Sequence, residues 1–153
     1  MLHRRLDCEI ITSGIPDHEI GKIMNQFIGG QITALILTNV AVVRGIDIPG
    51  IDIVINYDIP VISDNGYMEP DCLNFIHRIG RTGRFGTDGL AITFYQTEGN
   101  IGENEVSYIS KIEKYYDMKM QEVVSIEELM HLLYEMRPQL KRAADGFIIG
   151  EDL

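Results

Sequence analysis

The chain has 153 residues, enough for one ordinary domain, and at 45% hydrophobic and 24% charged it has the make-up of a soluble globular protein. Its 13 basic and 23 acidic residues leave a formal net charge of −10, which excludes a global basic field for nucleic acid, so any such contact must be local. No apolar run approaches membrane-spanning length, and the opening Met1-Leu2-His3-Arg4-Arg5 lacks the apolar core of a secretory signal. Cys8 and Cys72 lack metal-ligand spacing and read as free thiols in a reducing compartment, while the scattered His3, His18, His77 and His131 argue against a metal site.

Residues 8–12 read as a short strand. Pro16 suits a first helical turn, Ile20, Ile23, Met24 and Phe27 recur at helical spacing, and Gly29-Gly30 stops that helix. The nearly continuous apolar run 33–38 predicts a strand buried on both faces of a parallel sheet, and 51–57 and 89–95 predict two more strands. The stretch 61–69, with Asn65-Gly66 turn chemistry, reads as an exposed loop. A helix is expected near 70–80 with Leu73, Ile76 and Ile79 on its apolar side. Another spans about 103–116, with Val106, Ile109, Ile112 and Tyr116 in phase. Ser125-Ile126-Glu127-Glu128 forms a capping box for a last helix through Leu129, Leu132, Leu133 and Met136 to Pro138, after which residues 138–153 form a tail. Strands alternating with helices imply an α/β fold with a parallel sheet and right-handed crossovers. In such sheets ligands lie beyond the carboxyl ends of the strands.

Positive charge is concentrated rather than spread. Between Lys22 and Lys111 the only Lys or Arg residues are Arg44, Arg78, Arg81 and Arg84, and the last three fall inside His77-Arg78-Ile79-Gly80-Arg81-Thr82-Gly83-Arg84. Guanidinium forks suit phosphate oxygens, because fixed donors can meet them in pairs. Arg78 and Arg81 are three apart and share a face on a helix, and Arg84 follows a Thr-Gly break. Gly80 and Gly83 leave room for close approach. A single arginine of this kind would read as a surface ion pair. Their spacing favours an anionic ligand.

Taken with Thr38-Asn39-Val40, Arg44-Gly45-Ile46-Asp47 and Val54-Ile55-Asn56-Tyr57-Asp58-Ile59-Pro60, this string resembles the second RecA-like domain of DEAD-box RNA helicases over roughly residues 6–136. The long segment after Pro60 resembles the subgroup acting in messenger-RNA export at the nuclear pore. The resemblance implies a RecA-like parallel sheet flanked by helices over residues 1–137, and an ATP-dependent RNA helicase function shared with a first RecA-like domain. That first domain would carry the phosphate loop, the magnesium and the Asp-Glu-Ala-Asp motif. Arg81 and Arg84 would be the catalytic arginines at ATP, and Asp47 would hold the ribose. His77 and Arg78 would couple the two domains. Thr38, Asn39, Arg44 and Gly45 would contact single-stranded RNA through its phosphates and sugars, without reading sequence. Implied partners are RNA, the first domain and nuclear-pore and export factors, with no membrane. The implied location is cytoplasmic or nuclear, including the nuclear pore.

The sequence departs from the family pattern at three points. The opening apolar strand, ending in a Phe-containing motif, and the helix after it are not found, so an N-terminally incomplete domain is expected. Three residues, Ala41, Val42 and Val43, separate Thr-Asn-Val from Arg-Gly-Ile-Asp where the family has two, and Ile20 replaces an arginine. No phosphate loop ending in Lys-Ser or Lys-Thr and no Asp-Glu-Ala-Asp string occurs, so the chain alone is expected not to hydrolyse ATP. The alternative function is a non-catalytic, helicase-derived protein-interaction module.

Overall fold

The computed structural model describes residues 7–38, 48, 51–64, 66–83 and 89–136, which fall into two compact units divided between Pro49 and Gly50. In the first, strand β1 (Cys8–Ile11) leads through helix α1 (Asp17–Ile28) to strand β2 (Ala34–Leu37). The two strands pair in parallel, with Cys8 opposite Ala34 and Ile11 opposite Leu37. Thr33 fixes this register. Its backbone N–H and its hydroxyl both donate to the Asp7 carbonyl, at 2.9 and 3.1 Å, and Ala34 N–H joins them at 3.1 Å. Ile20 and Met24, one turn apart, are the buried residues of α1, as their spacing predicts. Gly30 takes φ +73°, and Gln31 N–H returns to Gln26 O at 2.9 Å, a Schellman-type stop that the glycine pair permits.

The expectation that β2 is buried on both faces does not hold. Ile36 is 49% exposed, and its register partner Ile10 is 50% exposed on the same face. An apolar run marks a two-faced strand only where a layer covers each face. The described residues of this unit supply one helix.

In the second unit, β3 (Ile53–Asn56) and β6 (Leu90–Thr93) form a second parallel pair, with Ile53 opposite Leu90 and Asn56 opposite Thr93. Asn56 is buried, and its side-chain amide donates to Thr93 Oγ1 at 3.2 Å, so the one buried polar group among the described residues is satisfied inside the sheet. Between these strands the chain forms β4 (Val61–Asp64), β5 (Tyr67–Pro70) and helix α2 (Cys72–Ile79). The segment expected as a loop is thus an antiparallel hairpin, Val61 opposite Pro70 and Asp64 opposite Tyr67, closed by Gly66 at φ +83°. A two-stranded ribbon is marginal alone. This one is held by helix α3 (Gly99–Tyr116): Tyr108 OH donates to Met68 O at 3.1 Å, and Lys111 Nζ meets both carboxylate oxygens of Glu69.

The core of this unit is Ile59, Phe75, Tyr108 and Ile112, with Cys72, Ile79, Tyr95 and Tyr116 packed around it. Phe75, not Leu73, points inward from α2; Leu73 is 63% exposed, which corrects the predicted face. The row packed on the core is Cys72, Phe75 and Ile79, spaced i, i+3, i+7, with Ile76 half-buried beside it. Val106, placed in the apolar phase of α3 by sequence, is likewise exposed, while Tyr108 is buried. Helix α3 ends at Asp117 in the left-handed region, with φ 49°. Helix α4 (Ile126–Met136) opens with the first bond of the capping box, Glu128 N–H donating to Ser125 Oγ at 3.1 Å; the return bond differs, Glu128 Oε2 accepting from Val124 N–H at 3.2 Å, one residue before the cap.

Candidate functional site

The arginine string lies at the carboxyl end of α2. That helix begins at Asp71, whose Oδ1 accepts from Asn74 N–H at 2.9 Å, and Asp71 N–H itself donates to Pro60 O at 2.8 Å. The cap ties the helix start to the chain leaving β3. Phe75 then anchors the middle of the helix in the core. Gly80 ends it; a Cβ there would lie 2.9 Å from Ile76 O, so the helix stop itself favours glycine.

Beyond Gly80 the backbone tightens. Arg81 N–H donates to Arg78 O at 3.1 Å, and Thr82 N–H to Ile79 O at 3.2 Å. These are i to i+3 bonds, the pattern of a 3₁₀ turn, so the backbone at Arg78 and Arg81 lies one tight turn apart. Arg78 is half-buried. Its Nε donates to Asn74 Oδ1 at 3.3 Å and its Nη1 to Asp58 O at 3.2 Å. Burial lowers its pKa, partly offset by the charges of Asp58 and Asp71, although a guanidinium stays charged throughout the accessible range. Arg81 is also half-buried, whereas His77 is exposed.

Thr82 fixes the segment to the sheet. It makes a parallel bridge with Ile51, and its Oγ1 lies 2.6 Å from Ile51 O and 3.0 Å from Asp52 O. Asp52 O also accepts from Leu90 N–H at 2.9 Å. The segment 81–83 therefore lies where β3 and β6 begin, not beyond their carboxyl ends, and the ligand rule for parallel sheets does not describe it. Thr38 does follow the carboxyl end of its strand: it is exposed, with its N–H bonded to Ile11 O at 3.2 Å. The other predicted site residues, Asn39, Arg44, Gly45, Asp47 and Arg84, lie outside the described residues.

Sequence reasoning missed two residues here. Thr82 is the anchor of the string, and Gly89 lies against it: a Cβ on Gly89 would collide with Thr82 Oγ1 and with the Gly83 backbone nitrogen. A glycine just before an apolar strand was the only available signal. Among the described residues no group of His, Cys, Asp or Glu could hold a metal ion, and no helix is long and apolar enough to cross a membrane. Both cysteines are free thiols.

A family model described as the helicase conserved C-terminal domain matches residues 1–86. The chain belongs to this family. The ATP-dependent RNA helicase DBP5 of Meyerozyma guilliermondii is 42% identical over 108 residues, covering 69% of this chain and 22% of that protein. Its Saccharomyces cerevisiae counterpart is 39% identical over 118 residues, covering 76% and 23%. The chain thus spans less than a quarter of these helicases' length. Among solved structures, the C-terminal domain of the DEAD-box protein Dbp5 matches with a TM-score of 0.70 at 36% identity, covering 84% of this chain and 68% of that one. S. cerevisiae Dbp5 bound to RNA and ADP BeF3 matches with a TM-score of 0.71 at 34% identity, covering 88% and 32%. A substituted S. cerevisiae Dbp5 bound to Nup159, a Gle1 variant, IP6 and ADP matches with a TM-score of 0.66 at 32% identity, covering 84% and 31%. The helicase C-terminal fold seen here is therefore the RecA-like fold of the DEAD-box type, as its motifs implied.

Proposed function

We propose that this chain is the second RecA-like half of an ATP-dependent RNA helicase. In this reading Arg81, with Arg84, supplies positive charge to the phosphates of an ATP held mainly by a first RecA-like domain, and Asp47 holds the ribose. Arg78 and His77 couple that nucleotide to the first domain. Thr38, Asn39, Arg44 and Gly45 form a sequence-independent contact to RNA phosphates and sugars. Magnesium belongs to the first domain, which in this reading carries the phosphate loop and the Asp-Glu-Ala-Asp motif. The helicase unit runs through residue 137, and 138–153 is a tail.

The observation that carries this reading is the way Arg81 is mounted. A capped, core-anchored helix and a strand bridge hold the residues on both sides of it, which reduces the ordering cost of presenting a guanidinium to an anion. An arginine supplied in trans to a nucleotide is worth about three to five orders of magnitude in rate. The named relatives, including a Dbp5 bound to RNA and ADP BeF3, support the same chemistry, and the complexes of Dbp5 with Nup159 and Gle1 support a role in messenger-RNA export at the nuclear pore.

The test is to join the chain to the first RecA-like domain of S. cerevisiae DBP5 and measure ATP turnover with and without RNA. RNA-stimulated turnover in the fusion, absent from the chain alone, is the expected result. A fusion that binds RNA and ATP but never turns over would favour the second reading, a non-catalytic interaction module. The three-residue spacing between Val40 and Arg44 is the observation on that side.

A further inference from the structure

We propose that Thr82 and Gly89 form a clamp that positions Arg81 for the nucleotide, with Thr82 as the positioning residue and Gly89 as the gap it requires. The inference rests on the function proposed above and assigns a role to two residues outside its phosphate and RNA contacts.

Three observations converge on this pair. First, the Thr82 hydroxyl has a single proton and lies within hydrogen-bonding distance of two carbonyls, Ile51 O and Asp52 O, at the entry to β3. Second, Asp52 O also receives Leu90 N–H, so one carbonyl ties the arginine string to the first residue of β6 as well as to β3. Third, Gly89, the residue before Leu90, approaches so closely that any side chain would meet both Thr82 Oγ1 and the Gly83 nitrogen. The second of these is backbone, so no change of rotamer relieves the collision.

Arg81 is the immediate neighbour of this anchor. On its other side, its N–H is bonded to Arg78 O. The guanidinium is therefore carried on a short span fixed at both ends, and Thr82 sets where one end lies. A hydroxyl here does what an apolar residue cannot: its one proton bonds a carbonyl at the strand entry, Ile51 O lying nearest and Asp52 O keeping its bond from Leu90 N–H, while the backbone stays close enough to bridge Ile51. Glycine at 89 is thus a steric requirement of the arginine string, although it lies outside that string in sequence.

The test uses the fusion with the first RecA-like domain, measuring kcat and KM for ATP under saturating RNA. Thr82→Val keeps the size of the side chain and removes the hydroxyl. A misplacement of about an ångström costs about 100-fold in rate, so kcat and kcat/KM are expected to fall together by that order while KM for ATP holds. Thr82→Ser, which retains the hydroxyl, is expected to keep the parental kcat, a rescue that a general packing role would not give. Gly89→Ala is expected to reproduce the Thr82→Val loss. If Gly89→Ala fails to fold, the Val and Ser pair decides the matter. In the chain itself, Thr82→Val should shift the Arg81 and Gly83 amide resonances and speed their hydrogen exchange, and Thr82→Ser should not. Parental kcat in Thr82→Val, in a fusion that Arg81→Ala inactivates, overturns the clamp and leaves the proposed function standing. Parental kcat in Arg81→Ala overturns the proposed function and the clamp with it.

Discussion

Helix α2 has 8 residues and helix α4 has 11, yet only the shorter one buries a side chain completely. The ties of α2 come from distant parts of the chain: the Phe75 contacts in the core, Tyr116 OH donating to Cys72 O at 2.8 Å, and Arg78 donating to Asp58 O. The caps of α4 are local, made by Ser125 and Glu128. Helices this short are marginal in isolation, so both depend on packing; α2 has a fully buried anchor and ties from distant parts of the chain, whereas α4 has local caps and a half-buried apolar side. The arginine string is carried by the anchored helix. In the proposed function, a guanidinium that meets a phosphate at a defined place needs a support that does not fray.

Truncation in the two helices should separate them most sharply. Phe75→Ala is expected to cost about 3–5 kcal/mol, the range for removing a buried aromatic. Leu133→Ala, on the half-buried side of α4, should cost less than about 2 kcal/mol, since much of its transfer term is absent. Urea unfolding followed by far-UV circular dichroism measures both, and equal losses would break the comparison.

The next effects come from single hydrogen bonds. Tyr116→Phe removes the donor to Cys72 O and should cost about 1 kcal/mol. The caps come next. Asp71→Ala is expected to cost about 1 kcal/mol. Unlike Ser125→Ala, it should raise hydrogen exchange along α2 and into the arginine string; Ser125→Ala should loosen only the first turn of α4. Exchange measured by mass spectrometry on both variants tests this.

The smallest effects are electrostatic. Lys111 and Glu69 pair at 2.6 Å but are both partly exposed, so Lys111→Ala should cost no more than about 1 kcal/mol, and less as salt is added. Glu113 gives a pH signature. Its carboxyl is held below the ordinary range, first by the hydrogen bond from Lys119 at 2.7 Å and then by Met120 N–H at 2.8 Å. A carboxylate with a lowered folded pKa stabilises above its unfolded value, and that contribution disappears as pH falls through the folded one. Glu113→Gln should therefore flatten the acid side of the stability profile and leave the profile above pH 7 unchanged in shape.

Periodicity and end signals made most of the elements legible. Ile20 and Met24 announced the buried row of α1, Gly29-Gly30 its end, and Ser125 with Glu128 the start of α4. What failed has a common cause. The hairpin at 61–70 has no apolar alternation to mark its strands; it is held by Tyr108 and Lys111, some forty residues further along the chain. In α2 two apolar rows were available, and the choice of Phe75 over Leu73 depends on where the core lies. Ile36 looked like a strand residue covered on both sides, but burial depends on the layers around a strand as well as on its composition. At the site, the motif located the arginines, while the bridge to Ile51 and the approach of Gly89 join residues that no local pattern connects.

The central claim is that Arg81 acts on a nucleotide held mainly by another domain. Single-turnover ATP hydrolysis by the fusion, compared between the parent and Arg81→Ala at saturating RNA with the fusion in excess over ATP, tests it most directly. The account predicts that the substituted fusion still binds both ligands but loses about three to five orders of magnitude in rate, the range for a trans arginine at a phosphoryl group. Hydrolysis at the parental rate would contradict it.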